Sequence, residues 1–183
     1  MINLFSSPVK VIEMPEHEKL NNDLASCLQI GFSKNFSDKL PKHEADRLHS
    51  IFVKEVEQYL FELKNKNIEI TLDRSWSTYT DKYQFQTPHS HALYAVIGVY
   101  YIKTNDHSGD LLLHDPRGSH NFLPTFEKDH NGTLLSDRSY WRFKPKSGNL
   151  ILFPAYLIHS VEPNMSDEKR ISLAMNFQWK DFK

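Results

Sequence analysis

Two histidines one residue apart, in Pro88-His89-Ser90-His91, stand just before the apolar run from Ala95 through Ile102. On an extended backbone side chains alternate with period two, so His89 and His91 point to the same face. A neutral imidazole is the commonest protein metal ligand near physiological pH, and a His-x-His pair on one strand can chelate a single metal ion. The chain has ten histidines, so short spacings also arise by chance. Taken alone, the pair reads equally well as two surface or hydrogen-bonded side chains.

Two further residues bear on that choice. His159 ends the apolar stretch Leu150 to Ile158, where a histidine is either a satisfied core or edge residue or a third ligand. Eleven residues later comes Arg170-Ile171-Ser172, opening an otherwise apolar strand on which Arg170 and Ser172 share a face. If that face looks inward, the strand carries a guanidinium into the interior, where a charge without a partner is very costly. A bound carboxylate is the natural partner, because the planar fork holds both oxygens at once. If the face looks outward, Arg170 is an exposed strand-start residue and needs no ligand. Asp110 and Asp115 are the carboxylates that rival His91 as a ligand, but both fall beside turns and read as turn residues.

The elements that must position these groups follow from hydrophobic spacing. Val9 to Met14 suggests a short strand stopped by Pro15. A helix follows with Leu20, Leu24, Cys27 and Leu28 at helical spacing and Gly31 as its C-terminal cap, then a polar connection over Phe32 to Lys42. A longer helix from about His43 to Leu63 carries the stripe Leu48, Phe52, Val56, Tyr59, Leu60 and Leu63. From Asn67 the helical period disappears. Ile68, Ile70 and Leu72 alternate with polar residues, and short strands are expected at Ala95 to Ile102, Leu111 to His114, Asn149 to Phe153, Tyr156 to Val161 and Ile171 to Phe177. Turn chemistry at Asn105-Asp106, Ser108-Gly109, Pro116-Arg117-Gly118, Asn131-Gly132 and Ser147-Gly148 separates them. Gly118 to Lys146 is the least regular segment and reads as a lid or binding loop. Two helices followed by many antiparallel strands predict a mainly β jelly roll with a helical flank, residues 1–66 against a core of 67–183, in one domain.

Composition excludes several classes. The net charge of -1 and the lack of long like-charge blocks give no sign of nucleic acid or a membrane surface as a partner. Cys27 is the only cysteine, which rules out an intramolecular disulfide and a cysteine metal cluster and fits a reducing compartment. Its place on an apolar helical stripe reads as core. The first ten residues lack the pattern of a signal peptide and no run is long enough to span a bilayer, so a soluble, cytoplasmic protein is expected.

The combination resembles the Fe(II)- and 2-oxoglutarate-dependent dioxygenases, and more narrowly a branch of that superfamily common in marine phages and bacteria. The residues that carry the resemblance are His89-Ser90-His91 leading into Gly98-Val99-Tyr100-Tyr101-Ile102, Ser108-Gly109-Asp110-Leu111 with Asp115-Pro116-Arg117, Pro145 through Phe153-Pro154 to His159, and Arg170-Ile171-Ser172-Leu173-Ala174-Met175-Asn176-Phe177. It covers roughly residues 76–177. The resemblance implies a double-stranded β-helix, cupin-like, with iron held inside one end by His89 and His159. The family usually has a carboxylate two residues after the first histidine, and here that place holds His91, which becomes the third ligand. Arg170, helped by Ser172, is then the anchor for the distal carboxylate of 2-oxoglutarate, with dioxygen as the other co-substrate and succinate and carbon dioxide as products.

Two other classes compete. A three-histidine cupin-type metalloenzyme would not need 2-oxoglutarate, and a structural or binding jelly roll would need no metal. The residues do not name a primary substrate or an oligomeric state. His17, His43, His49, His107, His114, His120 and His130 read as surface or loop residues. Trp76, Tyr79, Tyr83 and Tyr100 are either pocket lining or core.

Overall fold

The hydrophobic alternation of the second half of the chain resolves into two antiparallel sheets that face each other. The structure is a computed structural model and describes residues 6–28, 41–117 and 140–180. In chain order the elements are β1 (Lys10–Glu13), α1 (His17–Leu28), α2 (Lys42–Lys64), β2 (Ile70–Thr80), β3 (Gln86–His89), β4 (Val96–Lys103), β5 (Leu111–His114), β6 (Tyr140–Phe143), β7 (Asn149–Pro154), β8 (His159–Val161) and β9 (Arg170–Trp179). One sheet has the order β1-β7-β4-β9-β2 and the other β3-β8-β5-β6, a jelly roll of the double-stranded β-helix type.

The larger sheet divides its side chains between two cores. On its outer face Val96, Tyr100, Leu150, Leu152, Leu173, Met175 and Phe177 pack against Leu48, Phe52, Val56 and Leu60 of α2 and Leu20 and Leu24 of α1. Its inner face sends Ile97, Tyr101, Ile151 and Phe153 toward Leu111 and Leu113 of the smaller sheet. Burying residues on both faces leaves β4 and β7 as nearly continuous apolar runs, in contrast to the alternation of a one-sided strand. The α2 stripe fills its groove except at Leu63, which is exposed at the helix end. Asn65, in the left-handed conformation at φ 49°, then closes α2 through a bond from its N–H to the Phe61 carbonyl.

A bulge between Leu72 and Arg74 decides what β2 shows the interior. Before it, Ile70 and Leu72 face the helices. After it the parity shifts, and Trp76, Thr78 and Thr80 stand opposite Ala174, Ser172 and Arg170 of β9. Directly paired antiparallel residues share a face, and Leu173, Met175 and Phe177 face the helices. Arg170, Ser172, Ala174 and Asn176 therefore look inward with Trp76, Thr78 and Thr80. The interior is thus polar along β2 and β9 and apolar along β4 and β7.

Several expectations need correction. Tyr140 to Phe143 is a strand, whereas the spacing placed it in an irregular loop. Residues 118–139 of that loop, Gly31 and most of the Phe32 to Lys42 connection lie outside the described residues, as does the side chain of Cys27. Tyr156 to Ile158 is not strand: the Leu157 N–H turns back to the Pro154 carbonyl at 3.0 Å, and pairing begins only at His159. Among the described residues no helix is long and apolar enough to cross a membrane.

Candidate metal centre

β3 and β8 pair so that His89 lies directly opposite His159. Such a cross-strand pair brings two side chains on one face within reach of each other, and here the ring centroids are 4.2 Å apart. His91 joins them by a different route from the one its spacing suggests. β3 ends at His89, and His91 lies in the following turn, where its N–H donates to the Ala155 carbonyl at 3.0 Å and its carbonyl accepts from the Tyr94 N–H at 3.1 Å. Its ring stands 5.2 Å from both others. One ligand atom from each of the three lies within 4.8 Å of the others. Among the described residues this is the cluster of histidine, cysteine and carboxylate groups able to hold a metal ion.

The hydrogen bonds prepare two of the rings. Nδ1–H of His89 donates to the Thr87 carbonyl at 2.8 Å, and Nδ1–H of His159 donates to the Leu157 carbonyl at 3.0 Å. Each bond goes two residues back along the chain and leaves the Nε2 lone pair free, as ligation requires. Burial, reinforced by the neighbouring imidazoles, pushes the pKa of His159 down to about 4, although its bond to Leu157 acts the other way. Burial and then His89 push His91 down as well. Imidazole nitrogens gathered on one point are a ligand set for a cation, and three nitrogen donors fit a first-row divalent metal.

The rival carboxylates are engaged elsewhere. Asp115 pairs with Arg117 at 2.7 Å in an exposed turn, and Asp110 lies 3.5 Å from Arg142. His114, expected at the surface, is half-buried at the end of β5 and bonded to the Ser160 hydroxyl at 2.9 Å. The aromatic residues separate by strand face. Trp76 looks inward and its ring lies 6.0 Å from that of His91, Tyr79 and Tyr100 pack on the helical side, and Tyr83 is exposed.

Arg170 enters the interior at the start of β9 and is only 3 % exposed. Its Nη1 donates to the Ser108 carbonyl at 2.8 Å, its Nη2 donates to Thr80 Oγ1 at 2.9 Å, and its Nε has no partner. All its partners are neutral, and among the described residues no carboxylate pairs with it. A buried cation with an unfilled donor edge is the environment a ligand carboxylate completes. Ser172 is buried on the same face, and the buried Tyr101 stands opposite it across β4 and β9. Burial pushes the Tyr101 hydroxyl up to about 12, against the pull of Arg170, so it stays a neutral donor.

Sequence reasoning passed over Thr80, Tyr101 and Asn176. A signal for the last was present, since Asn176 interrupts an apolar strand and a buried carboxamide needs partners. Gly109 has its carbonyl 3.4 Å from Arg170 Nη1. Its φ is +77°, and a Cβ there would lie 2.3 Å from the Glu162 carbonyl oxygen. Gly109→Ala is expected to cost about 1–3 kcal/mol and to lower the thermal unfolding midpoint by several degrees. Gly98→Ala is the control, because a Cβ there meets only side-chain atoms, none nearer than 3.2 Å, and the shift should be smaller.

The family model described as "Putative 2OG-Fe(II) oxygenase" matches residues 74–176, more than half of the chain and all of the residues just discussed. No curated protein matches the chain. Among solved structures it is similar to an oxidoreductase of the 2OG-Fe(II) oxygenase family from Burkholderia pseudomallei, at 16% identity and a TM-score of 0.56. That match covers 76% of this chain but only 59% of the Burkholderia protein. It is also similar to HygX from Streptomyces hygroscopicus with iron bound, at 13% identity and a TM-score of 0.68, over 97% of this chain and 84% of that one. A prolyl-4-hydroxylase from Pseudomonas putida is similar at 14% identity and a TM-score of 0.60, over 96% and 87% of the two chains. Identities this low carry the fold and leave the chemistry to the site.

Proposed function

We propose, from the premise that the chain belongs to the 2OG-Fe(II) oxygenase family, that His89, His91 and His159 hold ferrous iron and that Arg170 anchors 2-oxoglutarate for oxidation of an organic substrate. The observation that carries this reading is a single geometry. Three imidazoles converge on one point, and on the inward face of β9 a buried arginine has no anionic partner among the described residues. Bound iron would supply oxidation of a C–H bond by dioxygen, coupled to conversion of 2-oxoglutarate to succinate and carbon dioxide.

The protein's own part is binding, orientation and exclusion of water. His89 and His159 present Nε2 because the carbonyls of Thr87 and Leu157 hold their Nδ1 protons. Arg170 would take the distal carboxylate on the edge that its bonds to Ser108 and Thr80 leave open, with the hydroxyls of Ser172 and Tyr101 nearby as neutral donors. The apolar wall of Ile97, Ile151 and Phe153 would keep water from the reacting end. The single cysteine suits work in the reducing cytoplasm, where ferrous iron is kept reduced.

Anaerobic titration of the protein with Fe(II) and 2-oxoglutarate tests the reading. A visible charge-transfer band from a chelated 2-oxo acid is expected. Iron binding without that band, at any 2-oxoglutarate concentration, would instead favour a three-histidine metalloenzyme that does not use this co-substrate. At the third ligand position, His91→Asp should keep iron, because a carboxylate rebuilds a two-histidine, one-carboxylate site. His91→Ala should weaken iron binding at least tenfold, measured by metal analysis after dialysis.

A further inference from the structure

We propose that Asn176 is a positioning residue that selects the metal-ligating tautomer of His91 by accepting a hydrogen bond from its Nδ1–H. The inference rests on His91 being the third ligand and concerns what that role demands of its surroundings. His89 and His159 meet the demand with backbone carbonyls two residues back. At His91, the hydrogen-bonding neighbour of Nδ1 among the described residues is the carboxamide of Asn176, with Nδ2 3.4 Å away.

Asn176 is 3 % exposed, looks inward from β9, and its Oδ1 is buried without a partner. The two ends of a carboxamide exchange places on a half-turn about χ2, and which end faces a neighbour is settled by the hydrogen bonds each orientation allows. With Nδ2 toward His91, the ring accepts at Nδ1, its proton sits on Nε2, and that nitrogen has no lone pair for a metal. The same orientation strands Oδ1. With the carboxamide turned, Oδ1 faces Nδ1–H and gains a donor, Nε2 is freed for a metal, and Nδ2 takes the partnerless position, so ligation by Nε2 is what selects this orientation. The Tyr94 hydroxyl also lies against this carboxamide and is bonded to Asp73 at 2.9 Å. Its one proton goes to Asp73, so as placed it only accepts from the carboxamide; turning Asn176 requires that proton to swing to Oδ1, leaving Asp73 to Gln178 and Arg74. Trp76 limits tilting of the His91 ring from its other neighbour, β2.

The requirement is specific to an imidazole, because a carboxylate in the same place ligates through oxygen whatever stands behind it. That difference gives the test. Co(II) affinity is measured by absorption titration for Asn176→Leu and Asn176→Asp, each in the native and in the His91→Asp background. Asn176→Leu should weaken Co(II) 10- to 100-fold in the native background, the usual loss for an outer-sphere partner, and less than threefold beside His91→Asp. Asn176→Asp, which keeps an acceptor, should hold Co(II) at least as well as the native protein.

Equal losses in both backgrounds, or no loss in the native one, would overturn the proposal. If His91→Ala leaves Co(II) affinity unchanged, His91 is no ligand, and the site reading fails together with this inference. A weak His91→Ala with silent Asn176 variants overturns this inference alone. If His91→Asp binds no Co(II), nitrogen-15 NMR of the Zn(II)-loaded native protein decides. A protonated Nδ1 and metal-shifted Nε2 on His91, with the proton exchanging faster in Asn176→Leu, support the assignment, and a metal-bound Nδ1 refutes it.

Discussion

Arg170→Ala is expected to weaken 2-oxoglutarate binding to the iron-loaded protein by about 30-fold to several thousandfold, equivalent to roughly 2–5 kcal/mol for a desolvated charge-assisted pair. The size follows from burial. The guanidinium is 3 % exposed, so its partner carboxylate would be shielded from water and each hydrogen bond would count nearly in full. Arg170→Lys should recover only part of the loss, because an ammonium cannot fill both the Thr80 and Ser108 contacts and a two-oxygen ligand with one head. The measurement is the midpoint of the charge-transfer band against 2-oxoglutarate, with iron stoichiometry and unfolding midpoint as controls. An unchanged midpoint in the alanine variant would remove the main support for co-substrate binding at this end of β9.

His89→Ala and His159→Ala should each reduce iron affinity by more than about a hundredfold, beyond the range of losing an outer-sphere partner. His89→Ala removes little buried volume, and His159→Ala opens one cavity beside one core ring. His89 is only half-buried at the end of an edge strand, and His159 packs against Phe153 with ring centroids 5.0 Å apart. Both variants should therefore keep the strand content of the native protein by circular dichroism while losing metal in elemental analysis. Native iron stoichiometry in both would mean that the three imidazoles are not the metal site.

Much of this arrangement could be read from residue types alone, and what could not has identifiable physical causes. β5 was legible to the residue, because Leu111 to His114 is a short apolar run between clear turn signals. Tyr140-Trp141-Arg142-Phe143 was not. Its inward and outward residues are all large, and the outward Arg142 is held by Glu162 at 2.5 Å, a residue twenty positions away that no local pattern reveals. The pairing of His89 with His159 depends on register across strands seventy residues apart, yet the prospect of a shared site could be seen in the order of the motifs. His91 reached the expected neighbours for an unexpected reason. Period two placed it beside His89, whereas the chain has already left the strand and is steered by the Ala155 carbonyl. Likewise the inward face of β2 depends on one bulge at Asp73, which reverses the parity that a regular strand would have given Trp76, Thr78 and Thr80.

The turn that carries His91 hangs from Ala155, which follows β7 of the larger sheet, while His89 and His159 belong to the smaller one. An ion held by all three would be a staple across the mouth of the roll. β3 is a four-residue edge strand containing Pro88, whose nitrogen donates no ladder bond, and among the described residues it pairs with β8 alone. Part of the intrinsic binding energy would then go into ordering this rim, and apparent metal affinity would fall short of what the donor set alone implies. The reverse also holds by mass action. Metal-starved protein would fray first at β3, opening an unprotected seam to proteases, so iron supply would govern how long the protein persists as well as how fast it works.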